Sequence, residues 1–334
     1  MSTDVVAIAH PNVALSKYWG KRAVEGNVPA VPSLSVTLDG LATRTRVRWE
    51  PDRGSHRVVL DGRELAAASA QRAIALLDRV RSAAGLRDHA FVDSHSDFPS
   101  ASGLASSASG FAALAVGATR AAGLDWDDAQ VSDLARRSSA SAARSVFAGF
   151  VELDGAVARA VAPPNYLPLV VLVCVTTEAA KPVGSTEGMR ITMERSPYAR
   201  AWLEEAPRLH ARLRDALLAR DFEQVGALAE ASALAMHASA IAAGVIYFNG
   251  ATLAVLSAVR ALRHDGTPAY ATMDAGPHVK VLVPPAYAAG ARVALQGVPG
   301  VLRVIEARPG EGARLEASPR PIPRTVSSEA GGVR

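Results

Sequence analysis

The residues of this chain best suited to chemistry gather in a few short stretches. Residues 99–110 read Pro-Ser-Ala-Ser-Gly-Leu-Ala-Ser-Ser-Ala-Ser-Gly and lead into an apolar segment, Phe111–Ala121. Side chains this small let an anion approach the backbone. The first N–H groups of a helix lack internal partners, and its dipole favours negative charge there. Ser106 and Ser107 add hydroxyls for phosphate oxygens or a metal. Taken alone, a Ser/Gly turn with a capping serine explains this stretch almost as well. A second stretch, His10-Pro-Asn-Val-Ala-Leu-Ser-Lys-Tyr-Trp-Gly-Lys-Arg22, delivers Lys17, Tyr18, Lys21 and Arg22 at the end of an apolar strand. Two ammonium groups and a phenol so close together make an anion clamp, although a solvated charged loop is the commoner outcome. A third, Arg136-Arg-Ser-Ser-Ala-Ser-Ala-Ala-Arg144, brackets small hydroxyl residues with arginines. Arg144 suits a two-pronged bond to a carboxylate; the plainer reading is a helix start capped by Ser139. In the fourth, Ala271-Thr-Met-Asp-Ala-Gly-Pro277, Asp274 ends an apolar strand ahead of a tight turn. Such a carboxylate serves as a base or holds a hydroxyl, and equally serves as an ordinary turn former.

The elements that must position these residues follow from periodicity. Short strands are expected over residues 4–9, within 33–49 where apolar and polar residues alternate, at Val58–Leu60 before an Asp-Gly turn, and at Phe91–Ser94. Helices are expected over 64–84, from Phe111 to Ala121, over Asp127–Arg137 and in a further turn at Ser141–Phe147, with alternation resuming over Val151–Ala162. Pro163-Pro164-Asn165 marks a boundary. Beyond it come a buried strand at Leu167–Val175, a loop and helix over Lys181–Arg195, and helices at 200–219, 221–243 and 249–264. Strands at Ala269–Met273 and Val279–Val283 flank the Asp274 turn, followed by a helix over 286–296 and a strand at Val301–Ala307. From Ser318 the chain is rich in Pro, Ser and Gly and is expected to be a disordered tail. The mixture predicts an α+β protein of two domains, 1–165 and 166–317, with a cleft between them.

Composition narrows the classes. The 334 residues are 49% hydrophobic, enough for a large core. No apolar run approaches the ~18–20 residues that span a bilayer, and no secretory signal is apparent, so a cytoplasmic location and no membrane partner are expected. The net charge of +4 is small for this length and the arginines are scattered, which argues against nucleic acid and for anionic small molecules. The single cysteine, Cys174, reads as a buried strand residue, and the eight histidines are dispersed, so no transition-metal site is expected. Walker A, Gly-x-Gly-x-x-Gly and Gly-x-Ser-x-Gly signatures are absent, which sets aside P-loop, Rossmann and serine-hydrolase readings.

Together these stretches resemble the GHMP kinase superfamily and, within it, the diphosphomevalonate decarboxylases. The resemblance runs from about Ala7 to about Leu315, and Lys17-Tyr-Trp-Gly-Lys21 beside Gly103-Leu-Ala-Ser-Ser107 is its most specific part. Met236-His-Ala238 and Pro309-Gly-Glu-Gly-Ala313 are similar to the same branch. The resemblance implies a GHMP-kinase-like two-domain fold with the active site in the interdomain cleft. It also implies ATP, Mg²⁺, mevalonate diphosphate as substrate, and frequent homodimers. Position by position, it implies that Asp274 takes or orients the 3-hydroxyl proton, that Arg144 holds the substrate carboxylate, and that Lys17 positions reacting groups. Tyr18, Lys21, Ser139, Ser141 and Ser185 would bind the diphosphate, with Lys181 and Met189 lining the same cleft. Gly103, Leu104, Ala105, Ser106, Ser107 and Ala108 would cradle the ATP phosphates, with Ser107 nearest Mg²⁺.

Several positions depart from the family pattern. Ser138-Ser-Ala-Ser141 replaces Gly-Ser-Gly-Ser, Val31-Pro-Ser-Leu34 replaces Asn-Ser-Ser-Leu, and His278 replaces an asparagine. The segment after Phe150-Val-Glu-Leu153 is shortened, and Thr186 stands where some relatives carry arginine. Losing two glycines restricts the loop backbone. Fewer phosphate donors leave a monophosphate substrate or a mevalonate 3-kinase-like activity as alternatives, and a non-catalytic binding relative as a more distant one.

Overall fold

The computed structural model describes residues 4–51, 53–98, 106–179 and 181–317. Strands β1 (Val5–Ala9), β2 (Asn12–Ser16), β3 (Ser33–Asp39), β4 (Thr43–Glu50), β5 (Arg57–Leu60) and β6 (Arg63–Glu64) precede helix α1 (Ala67–Ala83). Strand β7 (His89–Ser96), helices α2 (Ser106–Ala121), α3 (Asp128–Ser138) and α4 (Ala142–Ser145), and strands β8 (Phe150–Asp154) and β9 (Val157–Ala162) follow. Next come β10 (Val170–Val175), α5 (Ser185–Arg195), α6 (Ala199–Leu218), α7 (Phe222–Ile241) and α8 (Gly250–His264). The order ends with β11 (Tyr270–Thr272), β12 (Val279–Val283), α9 (Ala288–Gln296), β13 (Arg303–Pro309) and β14 (Arg314–Leu315). The expected elements therefore form. One local reading needs correction: Ser139 caps no helix start but ends α3, whose own start is closed by a reciprocal cap between Asp127 and Gln130. The tail 318–334 lies outside the described residues.

One sheet has the order β14-β1-β4-β7-β5-β6, with β5 parallel to β7 and the other pairs antiparallel. Along β4 burial alternates, so Thr43, Thr45, Val47 and Trp49 face inward. Helix α2 lies on this face at close range: a Cβ at Gly117 would stand 2.9 Å from Val47. Alanines along α2 permit this approach and complete a core with α1 and α3.

The second sheet has the order β11-β12-β10-β13-β3-β8-β9, with β2 also pairing β3. It takes strands from both sides of Pro163-Pro164-Asn165. Strand β10 is buried throughout, because Val171 and Val173 join one core with Leu209, Leu213 and Leu217 of α6 while Val170, Leu172 and Cys174 join another with α8 and α9. An uninterrupted apolar run is the sequence form of a strand covered on both faces. Burial also pushes the Cys174 thiol up to about 12, which leaves it protonated and inert.

Helix α7 reaches strand β11 through Gly226, where any Cβ would overlap the Tyr270 ring. Gly226→Ala is therefore expected to destabilise the fold by about 1–3 kcal/mol, read by denaturant unfolding. An unchanged unfolding midpoint would show that the contact yields freely.

Candidate active site

Asp274 lies just past β11, where the chain turns tightly enough for the Gly276 N–H to reach the Asp274 carbonyl at 2.7 Å. The turn is pinned from several elements. Thr252 Oγ1 donates to the Pro277 carbonyl at 2.7 Å, Lys181 Nζ to the Ala275 carbonyl at 3.0 Å, and His237 Nε2 to the Asp274 carbonyl at 3.2 Å. The carboxylate is thereby aimed into a cleft of about 310 Å³.

Both carboxylate oxygens face ammonium groups. Lys17 Nζ donates to Oδ1 at 2.8 Å, and Lys280 Nζ stands 3.1 Å from Oδ2. Both lysines are almost fully buried, whereas the Asp274 side chain keeps a quarter of its surface open. Burial pushes the Asp274 carboxyl up, but the lysines outweigh it and hold the group well below the usual carboxylate range. Lys17 is brought down to about 8, chiefly by desolvation and only partly offset by Asp274. It stays charged below that value and loses its proton above it. The kcat/KM profile is thus expected to fall on an alkaline limb near pH 8. A profile flat to pH 10 would remove Lys17 from the reacting set.

Lys17 owes its place to β2. The register of β2 against β3 shifts between Ala14 and Ser16. This irregularity lets Lys17 Nζ fold back on the Ala14 carbonyl at 2.7 Å while the Lys17 N–H donates to Ser232 Oγ of α7. Beside it, Ser16 Oγ meets His210 Nδ1 at 2.9 Å and His210 Nε2 meets Glu152 Oε1 at 2.9 Å. The chain has a hydrolase-like order, yet all three residues are buried and none lines the cleft. The Ser16 hydroxyl is also engaged by the Leu34 N–H. This chain braces the strand that carries Lys17 and offers no nucleophile.

Arg144 lines the same cleft from the short helix α4. Its Nε donates to Ser35 Oγ at 3.0 Å, one terminal nitrogen to Ser33 Oγ at 2.8 Å, and the other to Asn12 Oδ1 at 3.3 Å. Among the described residues no carboxylate takes these donors, so the guanidinium is oriented while part of its donor set stays open. Burial lowers Arg144 to about 10, and it remains a cation at neutral pH.

Tyr18, Lys21, Ser107, Ser139, Ser141, Lys181, Ser185 and Met189 line the same cleft as Lys17, Arg144 and Asp274. Lys21 bonds Asn27 Oδ1 at 2.7 Å and Thr186 Oγ1 at 3.1 Å. The buried Tyr18 hydroxyl has no hydrogen-bond partner among the described residues, the mark of a donor awaiting a ligand. Four cations, Lys17, Lys181, Lys280 and Arg144, gather around one carboxylate, which suits a polyanion. Replacement of the expected glycines in 138–141 brings no strain, since none of these residues has a positive φ. His278 lies away from the cleft, where its Nδ1 accepts the Thr176 N–H, and burial lowers it to about 3.

Ser106 and Ser107 open α2 and line a second pocket of about 210 Å³ between α1, α2 and strands β4, β5 and β7. Its walls mix Val58, Val92, Phe111 and Leu114 with the hydroxyls of Thr43, Thr45, Ser94 and Ser96. Ser107 and Arg72 line both pockets. Ala108 is buried inside α2, and Gly103, Leu104 and Ala105 lie outside the described residues. Among the described residues no group of three or more His, Cys, Asp or Glu is placed to hold a metal. A cation here would depend on phosphates and a hydroxyl such as that of Ser107, the manner in which Mg²⁺ is commonly bound.

Sequence reading passed over Asn12, Ser33 and Ser35, whose polar atoms sit among apolar strand neighbours, and Arg72, which reads as a surface helix residue. It also passed over Lys280, although a lysine inside Val279–Val283 is itself a signal: a charge in a fully buried strand needs a partner.

Comparison with known proteins shows the family of the chain. Residues 9–159 match the diphosphomevalonate decarboxylase-like N-terminal domain, and residues 171–296 match the mevalonate 5-diphosphate decarboxylase C-terminal domain. The chain is 35% identical to the diphosphomevalonate decarboxylase of Homo sapiens, over 83% of this chain and 76% of that protein. It is 34% identical to the phosphomevalonate decarboxylase of Haloferax volcanii, over 82% of this chain and 86% of that protein. A solved structure of MDDEF in complex with MVAPP, AMPPCP and magnesium superposes with a TM-score of 0.87 at 34% identity, covering 94% of this chain and 98% of that one.

Proposed function

This chain belongs to the diphosphomevalonate decarboxylase family, and on that premise we propose that its cleft carries out the ATP-dependent decarboxylation of mevalonate 5-diphosphate to isopentenyl diphosphate, releasing ADP, phosphate and CO₂. The observation that carries this reading is the presence of an ionised, lysine-held Asp274 and an oriented Arg144 in one cation-rich cleft.

The substrate presents a tertiary 3-hydroxyl, a carboxylate and a diphosphate. Asp274 Oδ2, which faces Lys280 Nζ at 3.1 Å, accepts the hydroxyl and directs its oxygen toward the γ-phosphorus. As the phosphorus–oxygen bond forms, the hydroxyl becomes strongly acidic and its proton passes to Oδ2. Lys17, at the other oxygen, stabilises the negative charge spreading over the transferred group. Phosphate then departs with the carbon–oxygen bonding pair and leaves positive charge at C3. Arg144 aligns the carboxylate so that its carbon–carbon bonding pair closes the new double bond as CO₂ leaves. Tyr18, Lys21, Ser139, Ser141, Lys181 and Ser185 hold the diphosphate, and Met189 closes the wall beside them. The nucleotide base occupies the second pocket, its phosphates meeting the start of α2 at Ser106 and Ser107, where the pockets meet. The Ser107 hydroxyl, together with these phosphates, would hold magnesium, which would supply charge neutralisation for the transferred group. Residues 1–165 supply most of the nucleotide side and residues 166–317 supply Asp274 and Lys181.

The family resemblance supports a homodimer, which light scattering would test. No helix among the described residues is long and apolar enough to cross a membrane, which together with the need for ATP supports a cytoplasmic location. The assay that tests the proposal compares mevalonate, 5-phosphomevalonate and mevalonate 5-diphosphate for ATP-dependent CO₂ release. Release with the diphosphate alone is expected. Release with the monophosphate alone would assign Thr186 and the 138–141 loop to a smaller substrate, as in the Haloferax relative.

A further inference from the structure

Lys280 has no part in the reaction as drawn above, and it does not line the cleft. Its position is nonetheless unusual. It stands in the middle of β12, opposite Thr272 of β11 and Val173 of β10, with every residue of the strand buried. Val279, Val281 and Val283 join the core on one face; Lys280 alternates with Leu282 on the other. A lysine placed there forfeits hydration, and a partner is needed to offset the loss. Asp274 Oδ2 stands 3.1 Å from its ammonium.

Lys280 Nζ stands against Oδ2 at 3.1 Å, while Lys17 Nζ donates to Oδ1 at 2.8 Å. The two lysines reach the carboxylate from different elements, one from the end of β2 and one from β12. Together they restrain rotation of the carboxylate about its last torsion, which is otherwise broad. We propose that Lys280 is a positioning residue for the decarboxylase reaction: from its buried strand it fixes which oxygen of Asp274 is presented to the substrate hydroxyl and sets the charge against which Lys17 works. The inference rests on the reading of Asp274 as the carboxylate that meets the hydroxyl.

The surrounding charges make the role separable from simple packing. Lys17 faces the pair from the end of β2, Arg144 from α4, Lys181 from the loop before α5, His237 from α7 and His278 from the turn before β12, with Tyr18 beside Arg144 and Arg303 beside His278. His237 is held at about 4 and His278 at about 3, chiefly by burial, so both stay neutral in an ordinary assay range. Lys280 is among the cations that lower Lys17. Removing it must raise Lys17, whereas merely loosening the Asp274–Lys17 pair must lower Lys17 further by taking away its counter-charge.

The test is kinetics on Lys280→Met, whose side chain has similar length. The expected result is a kcat lower by roughly 10- to 100-fold through misalignment of the carboxylate. KM for both substrates should stay within about threefold, and the alkaline limb of kcat/KM should rise by about one pH unit. Lys280→Arg keeps the cation and should keep the limb at its parental position. If Lys280→Met fails to fold by circular dichroism, Lys280→Gln carries the same expected shift. A parental kcat with an unmoved limb overturns the proposal, and so does a lowered kcat with the limb unmoved or moved down. Asp274→Asn, assayed alongside, separates the two levels: if that variant keeps turnover, the reading of Asp274 fails and takes this inference with it.

Discussion

Asp274→Asn is expected to lower kcat by roughly 10²–10⁴-fold while leaving ATP affinity within about threefold, since the second pocket does not include Asp274. The amide keeps the shape of the carboxylate and one acceptor oxygen, but it cannot take the hydroxyl proton or offset two ammonium groups. Asparagine is the better probe because alanine leaves Lys17 and Lys280 buried without a counter-charge, at a cost of about 3–5 kcal/mol in stability. CO₂ release measures the first quantity and nucleotide titration the second. Turnover close to the parent would falsify the assignment of Asp274 to the chemistry. Loss of ATP binding together with turnover would mean that the variant damages the fold and not the reacting group.

Arg144→Lys is expected to reduce kcat/KM for the isoprenoid substrate by on the order of 10²-fold, because a single ammonium reproduces neither the planar fork nor its bracing. In the folded chain the guanidinium satisfies Ser33, Ser35 and Asn12 simultaneously. Lysine reaches at most part of this set and leaves buried polar atoms unpaired, each costing about 1–3 kcal/mol. A substrate analogue without the carboxylate should bind parent and variant alike, since the group that Arg144 aligns is missing. An unimpaired kcat/KM, or an equal loss with the analogue, contradicts the carboxylate role.

Much of this candidate site was legible in the sequence because the side chains proposed for its chemistry sit beside local punctuation. Asp274 stands at a strand end before Ala-Gly-Pro, Lys17 at the end of an apolar strand, and Arg144 past a run of serines. The strands were equally readable where one face meets solvent, as in β4, or where both are covered, as in β10. What the chain does not write locally is what holds these groups in register. The bracing of Arg144 joins residues 109 to 132 positions away from it, and Lys280 reaches Asp274 by standing on the adjoining strand. Such pairings depend on strand register and helix packing, and periodicity carries no record of them. His210 and Glu152, which brace Ser16, belong to the same class: each reads as an ordinary polar residue until α6 and β8 are brought together. Ser138 and Ala140 in place of two glycines read as consequential by residue type, yet the backbone there needs no glycine conformation.

The most direct test of the account is the product stoichiometry on mevalonate 5-diphosphate with ATP and Mg²⁺, measured in one reaction mixture. The account predicts ADP, inorganic phosphate and CO₂ in equal amounts, with all three lost in Asp274→Asn. ADP formed without phosphate and CO₂ would contradict it, because phosphoryl transfer would then end the reaction and the chain would act as a kinase.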